Sequence, residues 1–164
     1  MKYPCLIAAR MGSSRLPGKT LMKIEGREMI GMIIDRVKIS KYVNDILIAT
    51  TNLPEDDELV YWAKKEGITT FRGQSIDLLG RISDAVEYIG ASSFIEVLGD
   101  NPLIESKIID EVCQKYKSSK YPRVLLTLCC QPHLRQWQFH ISHLAYMCMC
   151  VCGCVCMCVR DRET

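Results

Sequence analysis

A chain of 164 residues, 48% of them hydrophobic, suits one domain with a core of its own. Its net charge of +2, from 21 basic and 19 acidic side chains, lacks the basic bias of a nucleic-acid-binding surface, so no nucleic-acid partner is expected. Residues 1–4 carry no long apolar stretch ahead of a small-residue cleavage site, which gives a cytoplasmic expectation.

Residues 4–9 (Pro-Cys-Leu-Ile-Ala-Ala) read as a short buried strand, because the apolar residues do not alternate with polar ones and a Gly/Ser/Pro loop follows at once. Ile30, Ile33, Ile34 and Val37 fall at i, i+3, i+4 and i+7, which gives a helix one apolar stripe. Residues 45–50 form a second strand. A helix over residues 55–66 turns Leu59, Val60 and Ala63 inward and stops at Gly67. Residues 68–71 are a third strand. Leu78, Leu79, Ile82, Ala85, Val86 and Ile89 line a helix closed by Gly90, residues 94–98 make a fourth strand, and a last helix begins near Glu105.

Strand and helix alternating at these lengths predict an α/β fold: a Rossmann-like layer with a mostly parallel sheet, right-handed crossovers and helices on both faces. Ligands of such sheets bind beyond the carboxyl ends of the strands, where residues 10–19, residues 50–52, Arg72 and Asp100 all fall. The first of these loops is the most informative. Gly12 and Gly18 allow close backbone approach, Ser13 and Ser14 add hydroxyls, and Arg10, Arg15 and Lys19 add positive charge, the makings of an anion cradle. A solvated basic loop in which the glycines only turn the chain is the alternative reading. Five residues separate Gly12 from Gly18-Lys19, so the loop is not Gly-x-x-x-x-Gly-Lys-Ser/Thr, and it is not Gly-x-Gly-x-x-Gly either.

The run Ala9-Arg10-x-x-Ser13-x-Arg15-Leu16-Pro17-Gly18-Lys19 resembles the N-terminal signature of the sugar-acid cytidylyltransferases, most closely the branch of spore-coat polysaccharide biosynthesis. Relatives of that branch activate 3-deoxy-manno-octulosonate, sialic or pseudaminic acid. Ile46-Leu-Ile-Ala-Thr-Thr-Asn52, Pro54-Glu-Asp-Asp57, Phe71-Arg72-Gly73 and Leu98-Gly-Asp-Asn-Pro-Leu-Ile104 follow in the family's order, and the likeness covers residues 2–121. The resemblance implies attack of a sugar hydroxyl on the α-phosphate of CTP, giving a CMP-sugar and pyrophosphate. It implies Arg10 and Lys19 as catalytic cations, Ser13, Arg15 and Arg72 as nucleotide contacts, and Asp100 as ligand to a Mg²⁺ cofactor. On the residues alone, Asp100 reads as a turn residue and Arg72 as a surface charge at a strand end. Full-length relatives are expected to be homodimers. Glu96 stands where relatives tend to carry a basic residue.

Relatives continue well past the fourth strand, so activity of this chain is expected to be impaired. The alternatives are a non-catalytic nucleotide-binding fragment, a mispredicted gene product, or a transferase using another nucleoside triphosphate, since the phosphate loop does not read the base. Residues 124–164 are expected to be an irregular tail outside the family. From residue 147 to 159 cysteine occupies every second position, a pattern that a TG dinucleotide repeat encodes, so the segment after Arg123 reads as translated non-coding sequence. These cysteines lack the paired spacing of a zinc site, and although residues 141–159 are long enough to span a bilayer, they are only weakly apolar. No membrane partner is expected.

Overall fold

The structure is a computed structural model that describes residues 1–118, 125–128, 138–140 and 155–159. The chain runs β1 (Tyr3–Ala8), a 3-10 turn (Lys19–Leu21), β2 (Lys23–Ile24), β3 (Arg27–Glu28), α1 (Met29–Val37) and β4 (Val43–Thr51). A second 3-10 turn (Pro54–Asp56) leads into α2 (Asp57–Lys65), β5 (Thr69–Gly73), α3 (Leu78–Tyr88), β6 (Ser93–Leu98) and α4 (Ser106–Ser118). Beyond it lie β7 (Leu125–Leu128), β8 (Gln138–His140) and β9 (Val155–Val159).

The main sheet has the order β5-β4-β1-β6-β9-β7-β8. β5, β4, β1 and β6 are parallel, with Ile7 in register with Ile48 on one side and Val97 on the other. Side-chain alternation sends Cys5, Ile7, Ile46, Ile48, Ile95 and Val97 to one face, under α1, α2 and α4, and Leu6, Leu47, Ala49 and Phe94 to the other, under α3. This split of helices has a geometric cause. From β1 to β4 to β5 the chain steps outward in one direction, and to reach β6 it must cross back over β1. A right-handed crossover travelling in the reverse direction puts its helix on the opposite face. At the point where the strand order reverses, the ends of β1 and β6 lie side by side, and the loops that follow them border a crevice at the carboxyl ends of these two strands.

The α/β architecture expected from sequence is the one observed. β4 is longer than expected, and α2 begins at Asp57 because a 3-10 turn precedes it. Leu78 and Leu79 differ from expectation: both are 42% exposed, in the first turn of α3, where Leu78 lines a cleft, whereas Ile82, Ala85 and Val86 are buried in the core and Ile89 packs against it. Three segments of the tail also depart from an irregular course. β9 pairs antiparallel with β6 and with β7, and β7 with β8. The edge of β6 offers unpaired N–H and C=O groups, and the alternating residues 155–159 can supply partners. The cysteines outside this strand and the apolar run that begins at residue 141 lie mostly outside the described residues. Among the described residues, no helix is long and apolar enough to cross a membrane.

Cys5 and Cys113 are buried free thiols in the larger core cluster. Burial, reinforced by the Asp110 charge, pushes the Cys113 thiol from 9.0 up to about 12, and burial raises Cys5 as well. A thiol that keeps its proton longer when folded contributes stability that is complete below pH 9 and is lost as pH climbs towards about 12. Thermal unfolding followed across that window is expected to show a shallower fall of Tm for Cys113→Ala than for the wild type.

Candidate active site

β1 ends at Ala8, and the chain leaves the sheet through a loop fixed from within. Met11 is its pivot. Its side chain is buried in the core, its N–H donates to Asp56 Oδ1 at 2.6 Å, and its carbonyl accepts from Ser13 N at 2.8 Å and Gly18 N at 3.0 Å. Asp56 is fully buried, and its second oxygen accepts from Thr51 N at 3.0 Å and from the Thr51 hydroxyl. Thr20 Oγ1 donates to the Arg10 carbonyl at 2.7 Å, and Leu16 N donates to Ser13 Oγ at 3.3 Å. Gly18 has φ +73°, a left-handed conformation that starts the 3-10 turn and would cost another residue about 1–2 kcal/mol.

These contacts use up the inward-facing groups and leave others open. Among the described residues, the N–H groups of Gly12, Ser14 and Arg15 have no hydrogen-bond partner, and Arg10 and Arg15 form no ion pair. Unfilled donors on a short loop with cations that form no ion pair are the makings of an anion site.

A cleft of about 380 Å³ opens beside this loop, within the size range of small-ligand sites. Ala8, Ala9, Leu98 and Gly99, at the ends of β1 and β6, form its floor. A Cβ on Gly99 would lie 2.7 Å from the Ala8 carbonyl oxygen, so only glycine lets the two strand ends approach this closely. Arg10, Ser13, Ser14, Arg15, Lys19 and Thr20 line the cleft from the loop, while Ser75, Ile76, Leu78 and Arg81 line it from α3 and the turn before it. Asp100 also borders the cleft, and its Oδ2 lies 3.2 Å from Lys19 Nζ. Their side chains are 28% (Lys19) and 50% (Asp100) exposed, so the pair is solvent-screened and contributes at most about 1 kcal/mol.

The structure thus brings Arg10, Ser13, Arg15, Lys19 and Asp100 to one cleft, and does not bring Arg72 there. The Arg72 guanidinium donates to the Thr51 carbonyl at 2.9 Å, the Leu53 carbonyl at 2.8 Å and Asp57 Oδ1 at 2.6 Å, and so clamps the turn after β4. Glu96 is a buried residue of β6, in register with Leu6.

Two residues of this arrangement escape a reading of the sequence. Asp56 stands in an acidic run in which nothing separates the buried carboxylate from its exposed neighbours. Arg81, only 4% exposed, does leave a signal: it lies one helical repeat before Ala85 on the buried stripe, where a cation is out of place. Burial chiefly, then the like charge of Arg10, makes the protonated form of Arg81 less favourable than usual.

Among the described residues, no group of three or more His, Cys, Asp or Glu side chains could hold a metal ion. Asp100 by itself fits Mg²⁺, a cation that keeps several waters and is commonly bound by one or two carboxylates together with substrate phosphates.

A parallel sheet with a basic Gly/Ser loop where the strand order reverses is a Rossmann-like architecture, and solved structures of nucleotidyltransferases share the fold. A cytidylyltransferase from Leptospira borgpetersenii superposes with a TM-score of 0.73 at 36% identity, covering 79% of this chain and 54% of that one. CMP:2-keto-3-deoxy-manno-octonic acid synthetase complexed with CTP superposes with a TM-score of 0.66 at 25% identity, covering 77% and 52%. The profile of the cytidylyltransferase family matches residues 4–146, past Tyr121, and the chain belongs to that family. The spore coat polysaccharide biosynthesis protein SpsF of Bacillus subtilis is 32% identical over 126 residues, 73% of this chain and 52% of that protein. The chain spans about half the length of the relatives it matches.

Asp56→Asn keeps the shape but places an amide, which has a single acceptor oxygen, among three donors. The substitution is expected to lower the free energy of unfolding by about 1–3 kcal/mol in urea titrations, and to weaken pyrophosphate binding by loosening the loop at Met11.

Proposed function

We propose that this domain binds the triphosphate of CTP in the cleft and serves transfer of the cytidylyl group to a hydroxyl of a sugar acid, with release of pyrophosphate. The observation that carries this reading is the set of open donors on residues 10–19: unpartnered N–H groups and unpaired Arg10 and Arg15, beside Lys19, at the β1–β6 crevice. The choice of CTP and a sugar acid is supported by the family and by the likeness to CMP:2-keto-3-deoxy-manno-octonic acid synthetase complexed with CTP. Residues 2–121 are taken as the nucleotide-binding unit, since every cleft-lining residue lies between Ala8 and Asp100.

Transfer of a nucleotidyl group depends mainly on positioning and on charge neutralisation. The loop N–H groups and the Ser13 and Ser14 hydroxyls donate to phosphate oxygens, Arg10 supplies a planar fork, and Lys19 supplies a compact charge. A magnesium ion, when bound, neutralises phosphate charge, and Asp100 is the residue that would hold it. Lys19 and Asp100 exchange their mutual contact for these partners. Because that contact is half exposed, the exchange costs little.

Isothermal titration of the chain with CTP, CMP and pyrophosphate tests the reading, and absence of CTP binding overturns it. Arg10→Ala and Lys19→Ala are each expected to weaken CTP binding roughly ten- to hundredfold, with a smaller loss for CMP. For Asp100→Asn the expected outcome is loss of the Mg²⁺ enhancement of CTP binding with Tm almost unchanged. Full Mg²⁺ enhancement in that variant would return Asp100 to the role of a turn residue.

A further inference from the structure

The two walls of the cleft differ in chemistry. The loop wall carries open cations and N–H groups, whereas the α3 wall is apolar apart from Ser75 and one buried guanidinium. Arg81 Nη1 donates to the Gln74 carbonyl at 2.6 Å, and its stem packs on Gly73, where an added Cβ would lie 2.8 Å from Cγ. Its Nε is buried and has no hydrogen-bond partner. A buried donor left unpaired is costly, so the position points to an acceptor that arrives with a ligand.

The nature of that acceptor follows from the surroundings. The charges of Asp56 and Asp77 act on Arg81 favourably, so its cation is partly compensated, and what it lacks is a hydrogen-bond acceptor. Held by Gln74 and packed on Gly73, the guanidinium cannot swing out to follow a phosphate chain. Beside it, Ala8, Ala9, Ile76 and Leu78 offer small and apolar surface suited to a flat ring. A nucleotide whose phosphates lie on the loop wall directs its base to this end.

We propose that Arg81 reads the base, donating to the adjacent O2 and N3 acceptors of cytosine. This inference rests on the proposed binding of a cytidine nucleotide. Uracil presents an N3–H at the same place, and a guanidinium, which has donors only, meets it donor to donor. Sites built to hydrogen-bond one partner reject the analogue that lacks the matching group far more strongly than apolar pockets do.

The test compares CTP, UTP and pyrophosphate binding to the full chain by titration calorimetry, for the wild type, Arg81→Gln and Arg81→Lys. The wild type is expected to prefer CTP over UTP by at least about tenfold. Arg81→Gln is expected to bring the two nucleotides within about threefold while leaving pyrophosphate affinity unchanged, and Arg81→Lys, which keeps a donors-only group without the fork, to retain only part of the preference. A preference for CTP retained in both variants, or a parallel loss of pyrophosphate binding, overturns the role of Arg81 and leaves CTP binding intact. A wild type that binds pyrophosphate but neither nucleotide sinks the nucleotide reading itself. A measurement on the unmutated chain guards against variants that do not fold: the ¹⁵N-labelled Nε–H resonance of Arg81 should shift on adding cytidine and stay in place on adding pyrophosphate. A resonance indifferent to cytidine overturns the inference.

Discussion

The buried carboxylate of Asp56 is the constraint on which the site depends. Removing a carboxylate from water costs several kcal/mol unless its oxygens are fully engaged. Here Met11 N, Thr51 N and the Thr51 hydroxyl engage them, so one side chain joins the start of the loop after β1 to the end of β4. With Met11 held at its N–H, its carbonyl is positioned to accept from Ser13 and Gly18, and the loop closes on itself. The open N–H groups of Gly12, Ser14 and Arg15 follow from this closure, because the loop's inward contacts are taken and its outward donors are left.

Arg72 belongs to the same mechanical chain. Its three contacts, to Thr51, Leu53 and Asp57, brace the turn that carries Asp56. It fixes the turn, the turn presents Asp56, and Asp56 fixes Met11. A cation at a strand end in the sequence looks the same whether it faces a nucleotide or a carbonyl, and only the fold separates the two.

The parallel sheet and its helices are legible in the sequence because burial imposes a period. Ile30, Ile33, Ile34 and Val37 lie on one face of α1, and Ile46 and Ile48 lie on one face of β4, as their spacing demands. The 3-10 turns and the β2–β3 hairpin are too short to hold a period and leave no such trace. Five of the six site residues are brought to one cleft because their loops all leave the same end of the sheet, a consequence of topology that the alternation of elements already contains. Asp56 and Arg81 are different. Their importance arises from partners that meet only after folding, across 45 residues between Met11 and Asp56 and through a turn between Gln74 and Arg81.

Rigid and labile parts of the cleft are divided in a way that suits a polyphosphate ligand. The loop backbone is held by hydrogen bonds of its own, so its N–H donors need no reordering when an anion arrives, and the entropic cost on the protein's side falls on the exposed Arg10 and Arg15 side chains. The ion pair of Lys19 with Asp100 is of the opposite kind: half exposed, solvent-screened and worth little. It holds the Lys19 cation and the Asp100 carboxylate together at the cleft, and in the proposed function a phosphate chain and a divalent ion would each offer one partner a stronger contact. A buried pair at the same place would resist that exchange by several kcal/mol. The exposure of this pair thus fits the proposed exchange, in the same sense that the burial of Asp56 fits a loop that must stay fixed.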